Sequence, residues 1–352
     1  MTVSEREARI LGIIETARSK PAKFRDERIT MAHGAGGKAT SRLIEGLLAP
    51  AFGMDSLDDA GAVEGDLAIT THAFVVKPQR FPGGSIGDLA VNGTVNDLAV
   101  AGARPLALSL SLILEEGLDS ETLTAEVAAI AAAAREAGVR IVAGDTKVVE
   151  RGHADGLYIT TTGIGRRDPR ASLSPQSAKP GDRILLSGSI GEHGTAIMLA
   201  RGEFELESAI ESDTRCLWPA VDALLAAAGP QLRCMRDATR GGVASVLNEL
   251  ARSSAVAMLV READIPVAPA VAGASELLGI DPMYVANEGK LVALVAPEGA
   301  EAALRALRGF DPSAADIGEV KTEPPGMVLV ETSFGGKRVM DQLVGDPLPR
   351  IC

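Results

Sequence analysis

The segment SIGDLAVNGTVNDLAVAGARP, residues 85–105, constrains the fold more than any other part of this sequence. It consists mostly of small residues, and Gly102 and Pro105 near its end are residue types that stop helices. The pattern predicts a helix that ends there. Because small side chains let neighbouring elements approach closely, we expect this helix to be packed tightly inside the protein.

Segments with the patterns of buried strands and of helices alternate along the rest of the chain. LALSLSLIL, residues 106–114, is an aliphatic run of strand length. Aromatic residues make up 3% of the 352 residues, so Ala, Val, Leu and Gly must build the core. A chain of this length can bury two cores. We therefore predict an α/β (α+β) protein with two domains.

Changes in composition predict where the domains begin and end. SLSPQSAKPGD, residues 172–182, has the composition of a linker, and we predict an N-terminal domain, 29–168, and a C-terminal α/β domain, 169–330, that begins with this segment. Residues 1–28 are predicted to be a helical N-terminal extension, because their apolar residues fall on one helix face. Residues 331–352 are predicted to form a Pro-containing C-terminal tail that ends in Cys352.

Charge, cysteine content and hydropathy exclude several classes of protein. A net charge of −12 disfavours a nucleic-acid partner. Three cysteines without a CxxC pair make a structural zinc site improbable and are typical of a reducing compartment. The charged N-terminus does not have the pattern of a signal peptide, and the apolar runs are too short to cross a membrane. We expect a cytoplasmic protein without a membrane segment.

Carboxylates in three segments predict a metal site. Asp59 follows Asp58 in a Gly/Ala loop, and Asp97 lies with Asn96 in the small-residue helix. Asp145 ends a buried strand, where ligands bind in α/β folds. One such carboxylate would be explained by solvation, but polar groups in a closely packed helix are costly without a partner. Together, Asp59, Asp97 and Asp145 predict a Mg²⁺ site that carries nucleotide phosphates.

The glycine-rich loop HGAGGKAT is consistent with two interpretations. GAGGKA fits a G-x-G-x-x-A pattern, so Gly36, Gly37 and Lys38 could bind an anion at the start of the following helix. A glycine turn that serves the backbone geometry alone explains the loop equally well.

Two further segments have both a structural and a chemical explanation. In VANEGKLVALV, Glu288 and Lys290 could form a salt bridge at a strand edge, or Glu288 could be a buried general base with a raised pKa. In RDATRGG, Asp237, Thr239 and Arg240 belong either to a capping loop before a helix or to a phosphate contact.

Seven segments in the same order resemble the HypE family of hydrogenase maturation proteins. They are AHGAGGK, FPGGSIGDLAVNGTVNDLAVAGARP, ILEEGL, VAGDTKVV, RDATRGGV, ANEGKL and the terminal PRIC. The family belongs to the superfamily of aminoimidazole ribonucleotide synthetase, selenophosphate synthetase and thiamine monophosphate kinase. The resemblance covers about residues 29–352. It implies the two-domain fold of that superfamily with a mobile C-terminal tail, and a homodimer with ATP bound between the N-terminal domains.

The resemblance also implies a reaction and its partners. The carbamoyltransferase HypF would place a carbamoyl group on Cys352. ATP would then drive dehydration of this thiocarboxamide to a thiocyanate, and the cyanide would pass to iron on a HypC–HypD complex. Amide oxygen is a poor leaving group, phosphorylation improves it, and a base must remove the protons on nitrogen.

Matched onto this chain, the resemblance assigns three sets of residues. Lys147 and Glu288 would polarise and deprotonate the thiocarboxamide on Cys352. Asp59, Asp97 and Asp145 would hold Mg²⁺. The residues expected to bind ATP are Gly36, Gly37, Lys38, Asn96, Asp97, Gly144, Asp145 and Thr146.

One departure from the family pattern leaves alternatives open. His72 stands in TTHA, where family members commonly have Asp in TTD, so ATP affinity or magnesium dependence is in question. A non-enzymatic carrier or scaffold in hydrogenase maturation is one alternative. Another ATP-dependent synthetase or kinase of the superfamily is the second, but it leaves PRIC unexplained, and selenophosphate synthesis needs a reactive cysteine near the glycine loop, where none occurs before Cys216.

Overall fold

The computed structural model describes residues 23–54, 58–202, 209–345, 348 and 350–352. The predicted helix of the N-terminal extension lies outside these residues, and residues 23–28 are irregular. No helix in the described part of the chain combines the length and apolar character needed to cross a membrane.

The described residues form strands and helices in alternation. The strands are β1 Gly61–Ala62, β2 Leu67–Phe74, β3 Arg80–Phe81, β4 Gly84–Ser85, β5 Ala103–Glu115, β6 Arg140–Val149, β7 Leu157–Arg167, β8 Arg183–Leu186, β9 Leu232–Asp237, β10 Ala257–Arg261, β11 Leu291–Val295, β12 Ala315–Lys321, β13 Met327–Glu331 and β14 Lys337–Met340. The α-helices are α1 Lys38–Leu43, α2 Ala49–Phe52, α3 Ile86–Val100, α4 Ser120–Glu136, α5 Glu192–Ala200, α6 Trp218–Ala228, α7 Gly242–Ser253, α8 Pro269–Leu278 and α9 Pro297–Phe310. A π-helical turn, Ile44–Leu48, joins α1 to α2.

The first sheet has the order β1-β2-β7-β5-β6. Its strands pair antiparallel except β5 and β6, which are parallel and are connected through α4. Helix α3 contacts β2, β7 and β5, and α4 packs against α3. Strand β6 lies at the edge, and Val142 and Val148 on it are exposed.

The second sheet has the order β14-β13-β10-β12-β8-β11-β9, and most of its neighbours are antiparallel. Helix α7 packs on one face, and α6 and α9 pack on the other. All five residues of β11 are therefore buried, which explains its uninterrupted aliphatic sequence. The predicted two-domain α/β (α+β) class is confirmed. Residues 337–340 of the predicted tail are the outermost strand of this sheet.

Helix α3 is the predicted small-residue helix, and it connects the two sheets. Every residue from Ile86 to Val100 is buried except Asp88. Glycine allows the close approach on one side, because a Cβ at Gly93 would lie 3.0 Å from the Phe74 ring. The C-terminal end of α3 packs against α6 and contacts β9 in the second domain.

The Asn96 side chain links α3 to the second domain by hydrogen bonds to main-chain groups of that domain. Its side-chain amide donates to the carbonyl oxygens of Arg215, at 3.0 Å, and Glu288, at 3.2 Å. Its Oδ1 accepts from the amide of Leu217 at 2.7 Å. Nearby Asn92 makes one hydrogen bond, to Thr214 Oγ1 at 3.2 Å.

We predict that Asn96→Ala lowers the free energy of unfolding by about 2–5 kcal/mol, because it leaves three buried main-chain groups unpaired. Asn92→Ala should cost about 1 kcal/mol, since a single hydrogen bond is lost. Urea unfolding followed by circular dichroism measures both values. Equal losses in the two variants would contradict this account of Asn96.

Candidate active site

Charged side chains from both domains meet at the domain boundary beside α3, and this boundary region, with Asp59, Asp97, Asp237 and Glu288, is called the cleft below. Asp97, on α3, accepts hydrogen bonds from Thr70 Oγ1 at 2.8 Å and from His72 Nε2 at 2.5 Å. Both donors lie on β2. The His72 ring stacks on Phe74, with ring centroids 5.6 Å apart.

His72 forms an ion pair with the carboxylate that was predicted to bind metal. Burial disfavours the charged imidazolium, but Asp97 and Glu288 outweigh it and raise the pKa of His72. The ring is therefore positively charged over a wider pH range than a free histidine. In this arrangement a cationic side chain neutralises Asp97.

Asp59 and Asp237 bring further carboxylates to the same cleft. Burial and the nearby Asp97 raise the pKa of Asp59 to about 7, although Asp59 is paired with Arg236. Burial and the charges of Asp97 and Asp59 raise the pKa of Asp237 well above its usual range. Asp237 Oδ2 is buried and has no hydrogen-bond partner among the described residues. The cleft thus concentrates negative charge that needs protons or a cation.

Glu288 is buried beside this cluster and is held through its backbone. Its amide and that of Gly289 donate to the two carboxylate oxygens of Asp213, at 3.0 and 3.2 Å. Burial and the Asp213 charge raise the pKa of Glu288 to about 8. Lys290 lies 3.6 Å from Asp213 and 3.7 Å from Asp311, and the segment leads into β11, which lies inside the sheet. The alternative of a strand-edge salt bridge between Glu288 and Lys290 is therefore not what the structure shows.

The segment Gly144–Lys147 lies on the edge strand β6. In a single chain this segment is remote from the Asp97 side chain. In register, His72 faces Thr161, Thr161 faces Leu110, and Leu110 faces Gly144. Three strand spacings separate β2 from β6, or about 14 Å. Asp145 and Lys147 are exposed and pair with each other at 2.7 Å. Among the described residues, no group of three or more His, Cys, Asp and Glu side chains is arranged to hold a metal ion.

The glycine loop packs against the segment that follows β14. The amides of Lys38 and Ala39 donate to the carbonyl oxygens of Leu343, at 2.9 Å, and Val344, at 3.3 Å. Lys38 Nζ pairs with Asp341 at 2.7 Å. On its other side the loop meets the RDATRGG segment, where Arg240 Nη1 donates to the Gly34 carbonyl oxygen at 2.7 Å.

The C-terminus lies inward, along the continuation of β2. The Val75 amide donates to the main-chain oxygen of Cys352 at 3.0 Å, and the Lys77 amide donates to that of Arg350 at 3.3 Å. The partly buried Cys352 packs against an apolar cluster that includes Phe74 and Ala286. Phe74 precedes Val75, and its ring and Glu288 Oε2 both lie within 4 Å of the position that a Cβ on Gly93 would occupy, so the tail brings the terminal residue to the side on which Glu288 lies.

Comparisons with known proteins agree with this architecture. Residues 57–167 match the N-terminal domain of AIR synthase related proteins, and residues 179–330 match the C-terminal domain. The carbamoyl dehydratase HypE of Bradyrhizobium diazoefficiens is 49% identical over 94% of this chain and 97% of that protein. The carbamoyl dehydratase HypE of Escherichia coli K12 is 44% identical over 92% of this chain and 99% of its own length. This chain belongs to the HypE family.

Solved structures of HypE proteins share the fold. HypE in a HypE–HypF complex has a TM-score of 0.82 and 43% identity, covering 86% of this chain and 99% of that one. HypE in complex with ATP has a TM-score of 0.79 and 44% identity, covering 92% of this chain and all of that one. Thiamine monophosphate kinase from Aquifex aeolicus, at 18% identity and a TM-score of 0.63, shares the fold.

Three residues of this HypE-family site carry weak sequence signals or none. The RDATRGG segment leaves Asp237 between a capping loop and a phosphate contact, and its place at the end of β9 is the signal that assigns it to the cluster. Asp213 and Arg236 carry no comparable pattern. They reach the site because the chain folds back on itself, and no spacing within the sequence records that approach.

We predict that Glu288→Gln removes a pH dependence of stability. The Glu288 carboxyl has a pKa of about 8 in the folded state and 4.5 in the unfolded state. Its contribution to the free energy of unfolding is fully present below pH 4.5 and is lost as the pH rises toward 8. Relative to Glu288→Gln, the wild type should lose at most about 1.4 kcal/mol per pH unit across this range. Urea unfolding between pH 5 and 9 tests the slope.

Glu301→Gln is the matched control for this experiment, because Glu301 is exposed on α9. The difference between Glu288→Gln and the wild type should vary more with pH than the difference between Glu301→Gln and the wild type. Equal variation in the two differences would show that the pKa of Glu288 is not raised.

Proposed function

We propose that this chain dehydrates a carbamoyl group carried on Cys352, converting a thiocarboxamide to a thiocyanate at the expense of ATP, and so supplies the cyanide ligand of the [NiFe]-hydrogenase iron. The observation that carries the proposal is the inward tail. It binds the main chain of Cys352 to the amide of Val75, beside Phe74, and the Phe74 ring and Glu288 Oε2 both lie within 4 Å of the position that a Cβ on Gly93 would occupy. Membership of a family whose relatives are named carbamoyl dehydratase supports it.

The reaction breaks one C–O bond and two N–H bonds and forms C≡N. Bound ATP would supply the phosphoryl group with which the amide oxygen leaves. Glu288 is the proposed base for the nitrogen protons, because its raised pKa makes its carboxylate a stronger acceptor than an ordinary glutamate. Asp213 holds the backbone of Glu288 and keeps the base in place.

The carboxylates of the cleft have the donor chemistry for a magnesium-bound nucleotide, although the described residues of one chain are not arranged as a complete metal site. Asp59, Asp97 and Asp237 are hard oxygen donors, and a cation would compensate Asp237 Oδ2, which is buried and has no hydrogen-bond partner among the described residues. Asp97 would hold Mg²⁺ together with Asp59, as the sequence predicts. Lys38, Gly36 and Gly37 would contact phosphate, once the Lys38–Asp341 pair opens.

A homodimer would bring the remaining predicted residues to the site. Strand β6 pairs on one side only among the described residues, and Val142 and Val148 on it are exposed. Pairing of this edge with a second copy would cover it and could carry Gly144, Asp145, Thr146 and Lys147 toward the partner's cleft. Lys147 would then polarise the thiocarboxamide. The structure of a HypE–HypF complex supports HypF as the carbamoyl donor. We propose a HypC–HypD complex as the acceptor and the cytoplasm as the location.

The test is intact-mass spectrometry of the full chain after incubation with HypF, carbamoyl phosphate and Mg-ATP. We expect a gain of one carbamoyl group, followed by the loss of one water. Cys352→Ala should show neither change. A stable carbamoylated chain that never loses water would instead favour a non-enzymatic carrier, which is the alternative that the His72–Asp97 ion pair supports.

We predict that His72→Asp lowers the Mg²⁺ concentration needed for half-maximal ATP binding by about tenfold, because a carboxylate replaces a cation beside Asp97. Calorimetric titration with ATP at several Mg²⁺ concentrations measures the change. His72→Ala, which removes the cation without adding a ligand, should fall between the two. A higher Mg²⁺ requirement in His72→Asp would place the metal away from Asp97.

A further inference from the structure

Several residues bind the main chain of the tail. Neither the sequence nor the proposed mechanism gives these residues a role. Residues 350–352 run antiparallel to residues 75–77, since 352 bonds with 75 and 350 with 77. The Arg350 side chain adds to this pairing, because its Nε donates to Val75 O at 3.1 Å and its guanidinium pairs with Asp155. Two side chains from α5 and its end contact the carbonyl groups of the tail from the other domain.

Arg201, at the end of α5, is one of these groups. Its Nη2 donates to the Arg350 carbonyl oxygen at 2.8 Å, and its Nε donates to the Lys77 carbonyl oxygen at 2.9 Å. One guanidinium thus joins the tail to the strand on which the tail lies. Hydrogen bonds from a charged donor are stronger than neutral ones.

His193 is the second group. It is fully buried, and its Nε2 lies 2.8 Å from the Ile351 carbonyl oxygen. A carbonyl accepts only, so Nε2 must carry the proton. Burial lowers the pKa of His193, so the ring is neutral and Nδ1 accepts from Ser212 Oγ at 2.8 Å. The Ile351 carbonyl therefore accepts a hydrogen bond from His193, and Ser212 fixes the tautomer and orientation of the His193 ring.

The same short segment also holds the proposed base. Ser212 orients His193, and its neighbour Asp213 binds the amides of Glu288 and Gly289. The side chain of Ile351 is 2% exposed, so the tail is seated by packing as well as by hydrogen bonds. Ser212, which orients the tail contact His193, and Asp213, which holds the backbone of Glu288, are thus adjacent residues.

We propose that Arg201 and His193 are positioning residues, which hold the carbonyl groups of Arg350 and Ile351 so that the terminal thiol stays in the cleft. The proposal rests on the proposed function for its meaning in catalysis. Carbamoyl transfer needs the thiol outside, in the active site of another enzyme, whereas dehydration needs it inside. Weakening these contacts should therefore affect the two half-reactions differently.

The first experiment measures docking without any chemistry of the cleft. Cys352 of the full chain is alkylated with iodoacetamide and followed by intact mass, while Cys216 and Cys234 are buried. Arg201→Ala should speed alkylation by up to about tenfold, which converts to about 1.4 kcal/mol. Arg201→Lys should restore part of the protection. Arg305→Ala, on the exposed face of α9, should match the wild type.

The second experiment separates the half-reactions. In Arg201→Ala, carbamoylation by HypF should be unchanged or faster, while single-turnover water loss with Mg-ATP should slow by about tenfold. Ser212→Ala tests the His193 arm without removing a core side chain, and should change both rates in the same directions but less.

Unchanged alkylation in both Arg201→Ala and Ser212→Ala would overturn the proposal, as would an equal loss of both half-reactions in variants that melt like the wild type. If the wild type accepts the carbamoyl group and never loses water, the proposed function fails, but faster alkylation in both Arg201→Ala and Ser212→Ala would still establish Arg201 and His193 as tail contacts.

Discussion

The burial of helix α3 between the two domains is the constraint on which the rest of the structure depends. Fourteen of its residues are buried, so its polar groups must find partners within the protein. Asn96 finds them in the main chain of the second domain, and Asp97 finds them on β2. The helix therefore sets the separation of the sheets and supplies the carboxylate at the centre of the cleft.

Desolvation gives the cleft its chemistry. Glu288, Asp59 and Asp237 are surrounded by little water, and burial is the first cause of the raised pKa of each. Such a cluster is costly for stability and is most stable when it gains protons or a cation. His72 supplies one positive charge, beside Asp97. In this HypE-family chain a histidine thus neutralises the carboxylate at the centre of the cleft.

The position of the tail is set by residues that border the same cleft. It is seated by Ile351 and Leu348 in the apolar cluster between the domains, and its carbonyl groups are met by Arg201 and His193. The Ser212–Asp213 pair links this seat to Glu288.

The sequence by itself determined individual helices and strands and marked the terminal thiol. The small residues of α3, the aliphatic run of β11 and the terminal PRIC each carry a local signal, because helix packing, strand burial and a terminal thiol are properties of consecutive residues. The tertiary structure decided which charges meet. Asp237, Asp213 and His193 join the cleft, while Asp145 and Lys147 lie three strands away on an open edge. Such encounters depend on how sheets and helices are placed, and electrostatic shifts arise from burial and neighbours that the linear sequence does not record.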